Sequence, residues 1–169
     1  MHEIVTALLW FSAIGCAVMG GVYFAFSAFI MAALGRIDHP AGIDAMKAIN
    51  TDILKSLFMP LFFGTSAASL ALVALAVLHW GVEGTGPMFA GGVVYFVGMF
   101  VVTVVFNVPL NDALEAADPK HPSSWSDWKR YASNWTMWNH VRTAASIAAC
   151  TLFIFALTAW SERSIYPIF

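Results

Sequence analysis

Long stretches without a charged residue constrain this chain more than any other feature of its sequence. Four such stretches occur, and each exceeds the roughly 18 residues that a helix needs to cross the hydrocarbon layer of a membrane. They lie between Glu3 and Arg36, Lys55 and Glu83, Glu83 and Asp112, and Arg142 and Glu162. Because backbone polar groups in lipid must bond within their own segment, each stretch is predicted to be a helix.

These stretches predict spans near residues 5–33, 57–79, 88–110 and 142–160, in a single transmembrane domain covering 1–169. Only 11% of the residues are charged, whereas soluble domains average about 25%. So few charges cannot cover a water-facing surface, and we expect the lipid bilayer as the surrounding medium. The expected fold class is all-α, an integral membrane four-helix bundle. The net charge of -2 gives no basis for nucleic-acid binding.

The connection between the first two spans is predicted to contain a helix of its own. Ile43, Met46, Ile49 and Ile53 recur every three or four residues, which is typical of an amphipathic helix. We expect this interfacial helix to lie on the membrane surface and to run into the second span.

The fourth helix is predicted to begin well before its membrane span. Ser124 is followed three residues later by Asp127, a spacing that favours a helix start. The helix would then begin near Trp125, as a cytoplasmic extension of the span at 142–160.

Basic residues are concentrated on one side of the predicted bundle. Four spans place both termini on the same side, where the basic residue is Arg163. The opposite side carries seven: Arg36, Lys47, Lys55, Lys120, Lys129, Arg130 and Arg142. Since basic loops stay in the cytoplasm, we expect a multi-pass protein of the plasma (bacterial inner) membrane with both termini outside.

Polar side chains near the cytoplasmic ends of the spans are candidates for a binding site, because polar groups in a span are costly. Asn107 and Asn111 are four residues apart and share one helical face. Pro109 lies between them and is expected to bend the third span. Ser27, near the inner end of the first span, lies at a similar depth.

The fourth helix contributes a second group of candidates at the same depth. Trp135, Asn139 and Arg142 fall on one helical stripe, and His140 lies one position away from it. An aromatic wall, amide groups and one cation suit a small hydrophobic aromatic ligand that carries an oxygen or a carboxylate. His140 is a candidate proton acceptor. In the alternative interpretation these residues only anchor and join the helices.

The sequence contains no motif for a metal or cofactor. His-x-x-x-His, Glu-x-x-His and Cys-x-x-Cys are all missing, and no span contains the buried carboxylates of a di-iron site. We therefore expect no metal site, with a bound haem, metal or quinone as the open alternative. Ala17, Gly21 and Ala25, each four residues apart, favour close helix packing and leave a homo-oligomer as a further alternative.

The chain resembles the anthrone-oxygenase-like family of small membrane proteins, over nearly its whole length and with the motifs in the family's order. The segments that carry the resemblance are FSAFIMAALGR (26–36) with GIDAMKAIN (42–50), NVPLNDAL (107–114) and NWTMWNHVRT (134–143). Fungal relatives oxidise anthrones to anthraquinones without a recognised cofactor motif. The resemblance therefore implies a base that forms an anthrone carbanion and groups that stabilise the anion.

The same resemblance assigns individual residues. Asn111 matches the asparagine that follows the third-helix proline, while Trp135 and Arg142 match the fourth-helix tryptophan and arginine. The family places a histidine four residues after that tryptophan. Here that position is Asn139, with His140 beside it, so the expected base is out of register.

Two functional hypotheses follow. The first is a membrane-embedded oxygenase or related oxidoreductase acting on an anthrone- or quinone-like molecule at the cytoplasmic interface. Its catalytic residues would be His140 and Arg142, and its substrate-binding residues would be Asn107, Asn111, Trp135, Asn139 and Ser27. The alternative is a non-catalytic protein that binds lipid or quinone, or serves as an accessory subunit.

Overall fold

The described part of the chain folds into five helices, and four of them are long and apolar enough to span a membrane. The computed structural model describes residues 2–165, with side chains from 2 to 160, so the Arg163 side chain lies outside the described part. The helices are α1 His2–Leu34, α2 His39–Ile53, α3 Phe58–Leu78, α4 Thr85–Glu115 and α5 Ser124–Ile165. The four-span, all-α prediction is confirmed, with α1, α3, α4 and α5 as the spanning helices.

The helix α5 begins where the sequence predicted, 18 residues before the expected span. Its first turn is held by Ser123 rather than Ser124, since the Ser123 hydroxyl donates to the Asp127 carboxylate at 2.9 Å. The helix then continues without a break to Ile165.

The predicted amphipathic helix is present as α2, but it does not run into the second span. It ends at Ile53, and Leu54–Leu57 form a turn before α3. The Phe58 N–H donates to the Ser56 hydroxyl at 3.1 Å, which satisfies a free amide at the start of the new helix.

Apolar side chains form two separate cores. The larger runs along the spans and includes Leu9, Met19, Leu72, Met99 and Phe153. The smaller joins α2 to the N-terminal extension of α5 and comprises Met31, Ile43, Met46, Leu114, Trp128, Tyr131 and Trp135. The apolar face of α2 is therefore buried against protein, which corrects the expectation that it rests on lipid. The two cores meet at the level of the candidate polar residues.

Glycines allow α4 to pack closely on its neighbours. A Cβ added at Gly98 would lie 2.5 Å from the Ala145 Cβ, and one at Gly92 would lie 2.7 Å from the Ser69 carbonyl oxygen. At Gly21 an added Cβ would meet nothing within 4 Å. The predicted stripe of small residues on α1 thus does not provide close packing at Gly21.

The connections between the helices fall at two opposite ends of the bundle, as predicted. At one end the His2 and Trp160 rings stack with centroids 5.8 Å apart, so the beginning of α1 lies beside α5 near its end. At the other end Lys47 of α2 donates to the carbonyl oxygens of Glu115 at 2.9 Å and Ala117 at 2.7 Å. Lys47 thereby caps the end of α4, whose last carbonyls have no helical partner.

Three short π-helical segments widen the spans among the described residues, two of them towards this second end and one in the middle of α4. They are Phe26–Ile30 in α1 and Phe96–Val101 and Thr103–Asn107 in α4. In the last of them the Val108 N–H donates to the Thr103 carbonyl, five residues back. Because a proline ring clashes with the preceding turn, the wide turn lets α4 pass Pro109 without ending. Segments of this kind occur frequently at functional sites.

Candidate functional site

A chamber of about 210 Å³ lies where the two cores meet, between α1, α2, α3, α4 and α5. Its walls are largely apolar and aromatic. Aromatic side chains around it are Tyr23, Phe26, Phe58, Phe62, Phe63 and Trp135. Its polar lining residues are Asn50, Thr103, Asn111 and Arg142, in addition to Tyr23 and Trp135. A mostly apolar cavity with a few converging polar groups is the usual form of a small-molecule site.

Arg142 is the only cation that lines the chamber among the described residues. It is 4% exposed, and its guanidinium carbon lies 4.3 Å from the centre of the Tyr23 ring and 4.9 Å from that of Trp135. Both distances are within the range of cation–π attraction, which contributes about 2 kcal/mol when the pair is desolvated.

The hydrogen bonds of Arg142 go to neutral groups only. Its Nη2 donates to the Asn139 Oδ1 at 2.7 Å, and its Nη1 lies 3.5 Å from the Thr103 hydroxyl. Its Nε has no hydrogen-bond partner among the described residues. Within that part of the chain no carboxylate pairs with it, since the ion pairs join Asp38 to His39 and Asp127 to Arg130. A buried charge is normally paired, so this cation is available to an anion that comes from outside the chain.

Asn139 stands behind Arg142 and fixes it to α1. Its amide nitrogen donates to the Tyr23 carbonyl and to the Ser27 hydroxyl, each at 2.7 Å. Its amide oxygen is the acceptor for Arg142. Ser27 lies in the π-helical segment of α1, 3.4 Å from the Thr143 hydroxyl. Asn139 and Ser27 therefore position the guanidinium and do not line the chamber themselves.

Trp135 supplies a second donor at the chamber wall. Its indole Nε1 is buried and has no partner among the described residues. Asn107 donates to the Trp135 carbonyl at 3.3 Å and so ties α4 to α5, while the Asn107 amide oxygen lacks a described partner. An unpaired buried polar atom costs about 1–3 kcal/mol, which a ligand can recover. The unpaired donors on Arg142 and Trp135 together favour a ligand with an acceptor oxygen.

Asn111 connects the chamber to a neighbouring groove. The Tyr131 hydroxyl donates to the Asn111 amide oxygen at 3.0 Å. The groove shares Asn50 and Asn111 with the chamber and continues past Asp112 and Glu115 towards the surface. A polar path thus joins the cavity to the end of the bundle that carries α2.

His140 lies away from the chamber. Its side chain is exposed and lines a separate surface groove, together with Ser27, Met31 and Thr136. The structure does not bring His140 together with Arg142 in one cavity. The helix would have to be rotated for His140 to reach the chamber, because residues two apart point to nearly opposite sides of a helix.

The sequence brought out some residues of the site and missed others. Asn111, Trp135 and Arg142 line the chamber as predicted. Tyr23, Thr103 and Asn50 were missed. Tyr23 and Thr103 are isolated polar residues within apolar spans, which is the property that drew attention to the asparagines. Among the described residues, no three His, Cys, Asp or Glu side chains are grouped as metal ligands would be.

Comparison with known proteins gives one match. The family model described as anthrone oxygenase matches residues 54–152, more than half of the chain. The matched region includes α3, α4 and most of α5, with Asn111, Trp135 and Arg142, but not α1 or α2. No curated protein and no solved structure matches the chain.

Proposed function

Because the chain belongs to the anthrone oxygenase family, we propose that it oxidises an anthrone-type aromatic substrate with dioxygen in the chamber beside Arg142. Arg142 carries the proposal: its buried guanidinium has no carboxylate partner in the described part of the chain, and it faces a cavity lined by aromatic rings. Such a site suits a flat apolar molecule with negative charge on one oxygen. An anthrone acquires that form when it loses its benzylic proton.

In the proposed reaction, loss of that proton gives an enolate whose negative charge lies largely on the former ketone oxygen. We assign as donors to this oxygen the Nε–H of Arg142 and the Nε1–H of Trp135, which have no partner among the described residues. The electron-rich carbon then adds O₂ and, after protonation, forms a hydroperoxide. Loss of water converts the C–OOH carbon to a carbonyl. One O₂ thus turns one CH₂ group into C=O and releases one H₂O, without a cofactor.

The proton leaves to water in the groove beyond Asn111. No His, Asp or Glu lines the chamber among the described residues, whereas Asp112 and Glu115 line the adjoining groove. The reaction then depends chiefly on stabilising the anion at Arg142, which makes the substrate easier to deprotonate.

The same lack of a proton acceptor in the chamber favours a second candidate function. A protein that binds a quinone or another aromatic anion without transforming it needs the aromatic walls, the amides and Arg142, but no base. The first candidate function converts the ligand and the second does not, but both bind the same class of ligand.

We also propose the orientation that the basic residues favour. The end that carries α2 and the groove lies in the cytoplasm of a bacterial inner membrane, and both termini lie outside. The chamber would then be at the cytoplasmic interface, at the depth where amphipathic aromatic molecules collect.

The test is oxygen uptake by the purified protein in lipid vesicles with an emodin-type anthrone, with quinone formation followed in the same sample. We expect quinone formed and O₂ consumed in equal amounts. The rate should exceed that of an Arg142→Met variant, which serves as the control for spontaneous oxidation. Binding of the anthraquinone product without oxygen uptake would leave the binder as the function. If the protein showed no binding and no oxygen uptake, both candidate functions would be contradicted.

A further inference from the structure

One wall of the chamber is both apolar and exposed. Leu54, Phe63, Val104 and Val108 all line the cavity, with 63%, 55%, 49% and 41% of their surfaces exposed. The remaining walls are formed by buried or half-buried side chains, including Tyr23, Phe62 and Arg142. The chamber therefore has an opening, and apolar side chains surround it.

The opening results from the way in which three helices diverge. The helix α3 packs along Thr85–Val101 of α4, and α2 packs against Val108–Glu115. Between these two contacts lies the π-helical segment Thr103–Asn107, opposite the turn Leu54–Leu57. The packing of α3 on α4 thus ends beside the chamber.

This opening faces the lipid in a spanning bundle. Phe63 and Val104 lie within α3 and α4, both of which are long and apolar enough to cross the membrane. Exposed apolar side chains on such helices contact acyl chains, which offer no hydrogen bonds. A neutral aromatic molecule dissolves in that layer, whereas an anion is strongly disfavoured there.

We propose that the ligand reaches the chamber sideways from the bilayer, in its neutral form, through this portal between α3 and α4. The chemical class of the ligand rests on the proposed function, and the route rests on the geometry of the opening. The ligand becomes anionic only inside, where Arg142 is the nearest charge. A substrate delivered in this way need not pass through water.

The competing route is the polar groove that shares Asn50, Asn111 and Val108 with the chamber. Lys55, Asp112 and Glu115 line its outer part, and they favour water over an apolar ring system. The two routes share Leu54 and Val108, but each also has a residue of its own: Val104 lines the portal and not the groove, and Asp112 lines the groove and not the chamber.

Val104 and Asp112, which distinguish the two routes, allow a matched experiment. Val104→Cys and Asp112→Cys are made in a Cys16→Ala, Cys150→Ala background, and each is coupled to the same bulky methanethiosulfonate reagent. Val105→Cys serves as a control, because Val105 is 52% exposed on the same turn but does not line the chamber. A hydroxyanthraquinone is the ligand, since it cannot be turned over, and its binding in vesicles is followed by quenching of tryptophan fluorescence.

The portal predicts that coupling at Val104→Cys slows both association and dissociation at least about tenfold, with little change in Kd. Reduction of the mixed disulfide should restore both rates. Coupling at Asp112→Cys or Val105→Cys should leave the rates within about twofold of the uncoupled protein. Slowing at Asp112→Cys with normal rates at Val104→Cys would overturn the portal in favour of the groove. Failure of the parent protein to bind the ligand would overturn the proposed function and the portal together, whereas normal binding with no effect at Val104→Cys would overturn the portal alone.

Discussion

Two faces of the helix α5 carry polar residues that are close in sequence and opposite in environment. Arg142 is 4% exposed, lies between two aromatic rings and lines the chamber. His140, two residues earlier, is exposed and lines a shallow groove on the other side. His140, whose side chain is a common proton acceptor in enzymes, thus lies outside the chamber. Arg142, which lies inside it, does not serve as a proton acceptor.

This difference favours a chamber that binds charge over one in which a side chain transfers a proton. Among the described residues, the inner face of α5 carries a cation without a carboxylate partner and donors without a partner, at a cost of about 1–3 kcal/mol for each unpaired group. The outer face of the helix bears no such cost. We attribute the unpaired groups on the inner face to a ligand that completes them.

The largest contrast is expected between substitutions at these two positions. Arg142→Met should lower anthrone turnover about 100- to 1000-fold, as removal of an oxyanion donor does elsewhere. His140→Ala should stay within about twofold, because its side chain does not reach the chamber. Oxygen uptake under identical lipid conditions measures both. A large loss in His140→Ala with normal folding would reverse the assignment of the two faces.

Asn139 provides the next largest effect, because it holds Arg142 in place. Asn139→Leu removes the acceptor for the guanidinium and the donor to Ser27, and should lower turnover about 10- to 100-fold. Asn139→His should recover most of that loss, since a neutral imidazole offers one donor and one acceptor. The comparison of kcat for the two variants checks this. Equal losses in both would show that side-chain shape, rather than the hydrogen bonds, is what matters at this position.

Trp135 should have a smaller effect on binding. Trp135→Phe keeps an aromatic ring beside Arg142 and removes the unpaired Nε1 donor, so affinity for a hydroxyanthraquinone should fall about tenfold, equivalent to one hydrogen bond. Any fall in thermal stability should come from the smaller ring and not from a lost hydrogen bond, because the indole N–H has no partner to lose among the described residues. Fluorescence titration and a thermal melt in the same detergent measure the two quantities. Unchanged affinity would remove Trp135 from the donor set.

The smallest expected effects are on stability. They compare a glycine that packs closely against α5 with a glycine that borders open space. Gly98→Ala would bring a Cβ to 2.5 Å from that of Ala145, and we expect destabilisation by about 1–3 kcal/mol. Gly21→Ala adds a methyl group into open space and should change stability by no more than about 0.5 kcal/mol. Thermal unfolding in detergent compares the two. A larger loss in Gly21→Ala would indicate that a second copy of the chain packs on that face.

The architecture could be predicted because membrane insertion imposes a strong and simple pattern. Charge-free stretches locate the spans, and the 3.6-residue period placed Trp135, Asn139 and Arg142 on one stripe, which the hydrogen bond and the ring contact confirm. The break at Leu54–Leu57 could not be predicted, since nothing in the periodicity separates a turn from a continuing helix there. The burial of α2 against α5 is a long-range contact, and single-sequence patterns do not contain it.

The site was only partly predictable for a related reason. Helical periodicity shows which residues share a face, but not which face points inward, so His140 and Arg142 were both candidates. Tyr23 comes from a helix whose rotation depends on packing against α5. Thr103 belongs to a π-helical segment, where the regular period fails. Arg142 lacks a carboxylate partner because none of the described carboxylates lies beside it in space, and no local pattern encodes that arrangement.

If Arg142 holds a ligand anion, the absorption spectrum of a bound hydroxyanthraquinone will reveal it. The phenol and phenolate forms of such a dye absorb at different wavelengths, so a pH titration in vesicles gives the pKa of the bound ligand. We predict that binding to the native protein lowers the ligand pKa by at least about one unit and that Arg142→Met, which still binds the dye, abolishes the shift. A ligand that stays neutral in the native protein, or an equal shift in both proteins, would contradict the account.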